Sequence, residues 1–218
     1  MNYKQLSNKN LCVSIANKSF DECMDISKKS DLVELRLDLL NLNLDELKQL
    51  FNLDTKYVIT NRLGDFINEQ GSAFLKNIID LGADFIDIEI EENNEYVTDL
   101  IEYSKTTNCK VILSYHNFEH TPNIEEMQQI IDSAKQQNAD YIKIAVQAST
   151  QKDVLRILSL YENNDRLIAF GMGEVGRISR VTSLYMGAEF TYVSIDDDNK
   201  TASGQLTVDE MNKVFGLI

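Results

Sequence analysis

A small set of side chains in this sequence is suited to covalent and acid–base chemistry. Lys143 sits in the middle of Asp140-Tyr-Ile-Lys-Ile-Ala-Val146, a short, largely apolar run. By two-residue alternation Ile142, Ile144 and Val146 share one face, and Tyr141, Lys143 and Ala145 the other. A central strand of an α/β protein is covered on both faces, so Lys143 is expected to point inward. A free lysine titrates near 10.4, which leaves about one amine in 2,500 neutral at pH 7. Burial lowers that value and turns the amine into a nucleophile. The competing reading is a lysine at a strand end, paired with an acid for purely structural reasons. His116 ends the apolar run immediately before, Lys110–His116. A lysine and a histidine on adjacent strands supply a nucleophile and a base. That pair suits imine chemistry on a ketone, with the histidine moving the α-proton.

Other apolar runs carry charge on alternate positions. In Val33-Glu-Leu-Arg-Leu-Asp38, Glu34, Arg36 and Asp38 share a face. Thr60 and Arg62 do so in the next run, then Asp87 and Glu89, then Ser114 and His116. If the apolar positions face covering helices, Glu34, Arg36, Arg62, Asp87, Glu89, His116 and Lys143 face one cavity. Any one of them alone reads as half of a buried ion pair. Seven ionisable groups in one interior are too costly to bury unless they bind something polar.

The elements that must position them alternate regularly. Strand signals cover Leu11–Ala16, Leu32–Asp38, Tyr57–Arg62, Asp84–Ile90, Lys110–His116, Tyr141–Val146, Arg166–Met172 and Phe190–Asp196. Helix signals cover Ser19–Lys29, Leu44–Phe51, Ser72–Leu81, Asn94–Thr106, Ile124–Asn138, Gln151–Tyr161, Gly176–Met186 and Val208–Phe215. Thr121-Pro122 is a helix-start signal. The Leu-Gly-Ala-Asp at 81–84 and Met-Gly-Ala-Glu at 186–189 read as helix stops. Eight such rounds in 218 residues, with no linker, predict a single (β/α)8 TIM barrel over 1–218. The charged positions then fall at the carboxyl ends of the strands, the rim where barrel active sites are built.

Composition narrows the classes. Hydrophobic residues make up 43% of the chain, and one proline and nine glycines argue against disorder. A net charge of −14, from 21 basic and 35 acidic residues, disfavours nucleic acid or an anionic membrane as partner. No apolar run approaches a membrane span, and no signal sequence opens the chain. Cys12, Cys23 and Cys109, widely spaced and odd in number, fit reduced thiols in a cytoplasm.

Three motifs need weighing. Gly171-Met-Gly-Glu-Val-Gly176 matches a dinucleotide fingerprint, with Asp196 twenty residues beyond. Its place in the seventh unit leaves too few strands for a nucleotide-binding half. The reading preferred is an anion site at a helix start, with Arg180 one turn in. His116 and His120 have metal-ligand spacing but lie on a strand end and a loop, and no cysteine cluster accompanies them, so no metal is expected. Thr201-Ala-Ser-Gly-Gln205 is a small-residue loop able to close over a ligand.

In this order the pieces resemble type I 3-dehydroquinate dehydratase, the Schiff-base enzyme of the shikimate pathway. The matching segments are Glu-Leu-Arg-Leu-Asp at 34–38, Thr-Asn-Arg at 60–62, Asp-Ile-Glu at 87–89 and Ser-Tyr-His at 114–116. They continue through Lys-Ile-Ala at 143–145 and Met-Gly-x-x-Gly-x-x-Ser-Arg at 172–180 to Ala-Ser-Gly-Gln at 202–205. The resemblance implies Lys143 as the imine-forming lysine and His116 as general base, with no cofactor. It implies Glu34, Arg36 and Arg62 as groups holding the ring hydroxyls of 3-dehydroquinate. Arg180 and Gln205 become a carboxylate clamp, Met172 and Tyr192 apolar walls, and Thr201 stands where serine is usual. A homodimer is the common assembly.

The sequence also departs from the family. Asn117 stands where aspartate usually follows the histidine, and Phe170 replaces a methionine wall. Phe66 occupies the usual spacing of an acid that supports the histidine, so that acid is either absent or replaced by Asp65 or Glu69. A leading hairpin present in longer relatives is expected to be missing. Two other readings fit the chemistry. One is another class I Schiff-base barrel of the aldolase kind, which would want a phosphate nest. The other is a metabolite-binding barrel whose catalysis is impaired near Phe66.

Overall fold

A computed structural model describes residue 7 and residues 10–63, 66–92 and 95–217. Nine strands and eight α-helices alternate along it. The strands are β1 (Leu11–Ile15), β2 (Leu32–Arg36), β3 (Lys56–Thr60), β4 (Phe85–Glu89), β5 (Lys110–Asn117), β6 (Tyr141–Gln147), β7 (Leu167–Met172), β8 (Thr191–Ser194) and β9 (Leu206–Thr207). The helices are α1 (Phe20–Ser27), α2 (Leu44–Phe51), α3 (Glu69–Leu81), α4 (Glu95–Ser104), α5 (Ile124–Gln136), α6 (Gln151–Ser159), α7 (Gly173–Met186) and α8 (Val208–Phe215).

Every ladder is parallel, and the strand order is β7-β6-β5-β4-β3-β2-β1-β8-β9. The sheet is therefore curled, and β8 returns to pair with β1. Alternation sorts each strand into two shells. Val33, Leu35, Ile86, Leu113, Ile144 and their like pack outward under the helices. Cys12, Leu32, Val58, Phe85, Ile112 and Ala145, with Phe170, Phe190 and Tyr192, form a separate inner layer. The rings of Phe85 and Phe190 meet at 5.8 Å although β4 and β8 lie on opposite sides of the curl. Helix starts are set by sequence-local chemistry. Ser19, Asn43, Asn123, Thr150 and Thr207 each form a reciprocal capping box. Gly82 and Gly187, both left-handed, stop α3 and α7 at the two predicted turns.

Several boundaries differ from the sequence reading. β2 and β3 stop two residues early, at Arg36 and Thr60, so Asp38 and Arg62 lie beyond their strands. The Arg36 guanidinium turns back on Asp38, with Nε–Oδ1 2.9 Å and Nη2–Oδ2 2.6 Å, and that bidentate pair takes the place of further ladder. β8 ends at Ser194 because the Asp196 carboxylate caps a 3-10 turn, accepting from the Asn199 amide at 3.0 Å. A ninth, two-residue strand was not foreseen. It pairs Leu206 and Thr207 with Val193 and Ser194 and pins the 201–205 loop at its far end. α7 begins at Gly173 rather than Gly176, which puts Arg180 two turns in rather than one. Asn94, Asp65 and most of the segment ahead of β1, where the missing hairpin was expected, lie outside the described residues. Among the described residues no helix is long and apolar enough to cross a membrane.

Candidate active site

The carboxyl ends of the strands open on a cavity of about 410 Å³. Its floor and walls include Lys143 and His116; Glu34, Arg36 and Arg62; Arg180, Thr201 and Gln205; and Met172 and Tyr192, whereas Asp87, also expected to face the cavity, lies fully buried behind its wall. Sheet register explains why the charged members meet. Glu89, Ser114 and Lys143 stand at one level across β4, β5 and β6, and Arg36, Thr60 and Asp87 at one level across β2, β3 and β4. All are inward positions by alternation.

Lys143 is 5% exposed, and its Nζ donates to Asp87 Oδ2 at 3.0 Å while lying 4.3 Å from the centre of the Tyr192 ring. Asp87 is the hub of the site. Its carboxylate also accepts from Arg62 Nη2 at 2.5 Å, from Ser114 Oγ at 2.7 Å and from the Tyr192 hydroxyl at 3.4 Å. Burial alone would raise its pKa, but the charges of Arg62 and Lys143 overcome that and hold it well below the usual carboxylate range. Arg62 reaches past Asp87 to Glu89, Nε to Oε1 at 2.8 Å. Glu89 in turn holds His116, Nδ1 to Oε1 at 2.8 Å. A carboxylate on Nδ1 fixes the proton there and leaves Nε2 as the basic nitrogen facing the cavity. Burial, then the neighbouring Lys143 charge, push the imidazole pKa down, and Glu89 opposes them. Phe118, 72% exposed, stacks on the imidazole with centroids 6.0 Å apart and planes 10° apart.

The opposite wall is different in kind. Arg180 is 1% exposed, and its Nε has no hydrogen-bond partner among the described residues. Its guanidinium lies 4.3 Å over the Phe170 ring, and Nη2 reaches only the Ser203 carbonyl at 3.5 Å. Burial drops its pKa to about 9, still charged at neutral pH. The Gln205 carboxamide oxygen accepts from the Thr201 amide at 2.8 Å and its hydroxyl at 3.2 Å, which aims the amide nitrogen toward Ser14 and the cavity. Thr60 donates to Glu34 at 2.8 Å. A buried cation lacking an acid, beside an amide donor, is a receptor for an anion such as a carboxylate.

The arrangement matches known proteins. Residues 11–218 match the family model for type I 3-dehydroquinase. The chain belongs to the type I 3-dehydroquinase family. It is 34% identical over 198 residues to 3-dehydroquinate dehydratase of Pyrococcus abyssi, covering 88% of this chain and 89% of that one. It is 33% identical to the Methanococcus maripaludis protein of the same name, covering 95% and 99%. Among solved structures, the type I 3-dehydroquinate dehydratase of Clostridium difficile superposes with a TM-score of 0.82 at 26% identity, covering 98% of this chain and 93% of that one. The Geobacillus kaustophilus structure, at 22% identity and TM-score 0.85, covers 96% and 90% and speaks to the fold.

Within this type I 3-dehydroquinase, one reading from the sequence needs correction. Asp65 lies outside the described residues and Glu69 is exposed at the start of α3; another carboxylate holds the histidine. It is Glu89, from the strand next to His116. Phe66 serves packing instead, edge-on to Phe74 at 6.3 Å. Lys143 Nζ forms an ion pair with Asp87. Lys143 is thus paired with an acid, as one sequence alternative has it, and also lines the cavity, as the other requires. The signal for both carboxylates was present in the alternation of Asp87 and Glu89, but their partners follow from cross-strand register. The dinucleotide-like glycines serve close packing of β7 on α7. A Cβ at Gly171 would lie 3.0 Å from Gly176 Cα, and one at Gly176 would overlap the Gly171 carbonyl.

Proposed function

We infer that the chain dehydrates 3-dehydroquinate to 3-dehydroshikimate, a step of the shikimate pathway, through an imine at Lys143. The activity follows from family membership, and the residue-level route is the proposal. The observation that carries the route is a single cavity lined by a buried amine, by a histidine whose Nδ1 is held by Glu89, and by an arginine with no acid partner among the described residues. Arg180 and Gln205 take the substrate carboxylate, and Met172 and Tyr192 flank the ring. Glu34, Arg36 and Arg62 face its hydroxyls. Because Arg36 and Arg62 already bind carboxylates, they present the remaining edges of fixed guanidinium groups rather than free forks. Lys143 Nζ adds to the C3 ketone and water leaves, forming the iminium. His116 Nε2 takes a C2 proton as the electron pair moves toward nitrogen. The C1 hydroxyl then leaves as water with that proton, and a second water releases the product from Lys143. The Clostridium difficile relative was solved with covalently modified comenic acid, which agrees with covalent chemistry in such a site.

The curled sheet supports a closed (β/α)8 barrel as the scaffold. The inner layer draws side chains from β1 to β7 and from the β8 region, and the Phe170 and Tyr192 rings bridge β7 and β8 at 6.1 Å. Three buried free cysteines support a cytoplasmic setting. The acidic surface argues against a nucleic-acid partner. Exposed Leu155 and Ile178 on the packed pair α6 and α7 support a homodimer.

Borohydride added during turnover of 3-dehydroquinate is expected to leave a ligand-sized mass adduct on Lys143, lost in Lys143→Ala. Turnover with an unmodified lysine would retire the imine route.

A further inference from the structure

We propose that Asp87 is a catalytic residue, the fixed counter-ion that keeps the imine on Lys143 protonated while the α-proton is removed. The inference rests on the imine reading and adds to it a group that touches the reacting nitrogen.

The geometry is specific. Asp87 Oδ2 lies 3.0 Å from Lys143 Nζ, and the Asp87 side chain has no solvent exposure. The proton count shows what it meets. An ammonium carries three protons and one positive charge. Condensation with a ketone breaks the C=O bond, forms C=N and releases water with two of those protons. One N–H and the same positive charge remain on nitrogen. Asp87 therefore faces a cation both before and after condensation, and the surviving N–H keeps the same acceptor. The charge is needed in the next step, because only a protonated imine draws the electron pair of the breaking C–H bond onto nitrogen. Without a counter-ion, a buried iminium loses its proton to become a neutral imine, a weak electron sink.

The carboxylate is also tempered. Arg62 Nη2 and the Ser114 hydroxyl share its Oδ1, at 2.5 and 2.7 Å. An unshared carboxylate would hold the ammonium too tightly to release a neutral amine, and would resist formation of the neutral enamine. The other titratable groups around Lys143 come from every neighbouring strand. Glu34 is on β2, Glu89 on β4, His116 on β5, Cys12 on β1 and Tyr192 on β8, with Arg62 just past β3. Of the carboxylates among them, Asp87 is the one with a hydrogen bond to Nζ.

The test is Asp87→Asn, which keeps the shape and removes the charge. Two quantities are read: kcat on 3-dehydroquinate, and the pH dependence of Lys143 acetylation by acetic anhydride without substrate, followed by mass. They should move in opposite directions. Without the counter-ion the buried ammonium gives up its proton more readily, so acetylation at a given pH becomes faster. kcat falls by about 10²-fold, since the imine is no longer held protonated. Wild-type kcat, or slower acetylation together with slower turnover, overturns the proposal. If Asp87→Asn does not fold, Ser114→Ala carries the test with the opposite sign. Losing one donor makes the carboxylate more basic, so Lys143 acetylation slows several-fold, and an unchanged rate overturns the proposal. Failure to trap the wild-type imine with borohydride would instead strike the imine reading itself.

Discussion

At the residue scale the site is a chain of alternating charge: Lys143, Asp87, Arg62, Glu89, His116. In the proposed route each end is a group that changes its proton, and each interior member keeps its neighbour ionised. This explains how five of the seven ionisable groups stay in one small interior; Arg36 pairs with Asp38, and Glu34 accepts from Thr60. They neutralise one another, and among the described residues Arg180 has no acid partner. His116 works as a base only when neutral, and its pKa lies below the ordinary value near 6.5. Activity should therefore be lost as pH falls through a value below 6.5. Glu89 raises that pKa, so Glu89→Gln is expected to move the acid limb of kcat/KM to still lower pH. With Nδ1 no longer oriented, kcat should fall about 10²-fold, within the range for a general base. A limb that does not move would mean another group takes the proton.

At the element scale, α7 is the piece whose placement matters most. Its side chain at Arg180 reaches the cavity only because α7 lies hard against β7, where Gly171 and Gly176 touch. The loop at 201–205 meets it on the other side, with Gly173 N donating to the Ser203 carbonyl at 3.1 Å. Gly204, at φ 72°, brings its backbone so close to Gly173 that a Cβ would overlap the Gly173 carbonyl. Gly176→Ala is expected to push α7 off β7 at a cost of about 1–3 kcal/mol. For a chain of this length each kcal/mol lowers Tm by about 2–4 °C. KM should rise more than kcat falls, because the anion receptor moves and the Lys143–His116 pair does not. An unchanged Tm would show that the glycine contact is slack.

At the scale of the whole molecule, the inner layer joins strands distant in sequence and opposite in the curl. Phe85 from β4 and Phe190 at the start of β8 meet edge-on beneath the site, and Tyr192 continues the stack at 5.5 Å from Phe190. A double-mutant cycle of Phe85→Leu and Phe190→Leu, measured by urea unfolding, should give a coupling of about 0.5–1.5 kcal/mol. Strictly additive effects, within about 0.3–0.5 kcal/mol, would be incompatible with a sheet curled this far.

Much of this was legible in the chain itself. Alternation of apolar and charged positions, read with its eight strand–helix rounds, determined which side chains face inward and that Lys143 and His116 share a rim. Local caps and helix-stop glycines determined most helix ends. These are short-range effects, set by neighbours a few residues apart. Other features awaited tertiary structure: that Asp87 partners Lys143, that Glu89 rather than a loop acid holds His116, and that Arg180 is left without an acid. Each depends on strand register and on contacts across the curl, between residues 27, 56 or more than 100 positions apart. One-dimensional periodicity gives the face of a strand but not its neighbour's offset, and a charge is defined chemically by the partner it meets there.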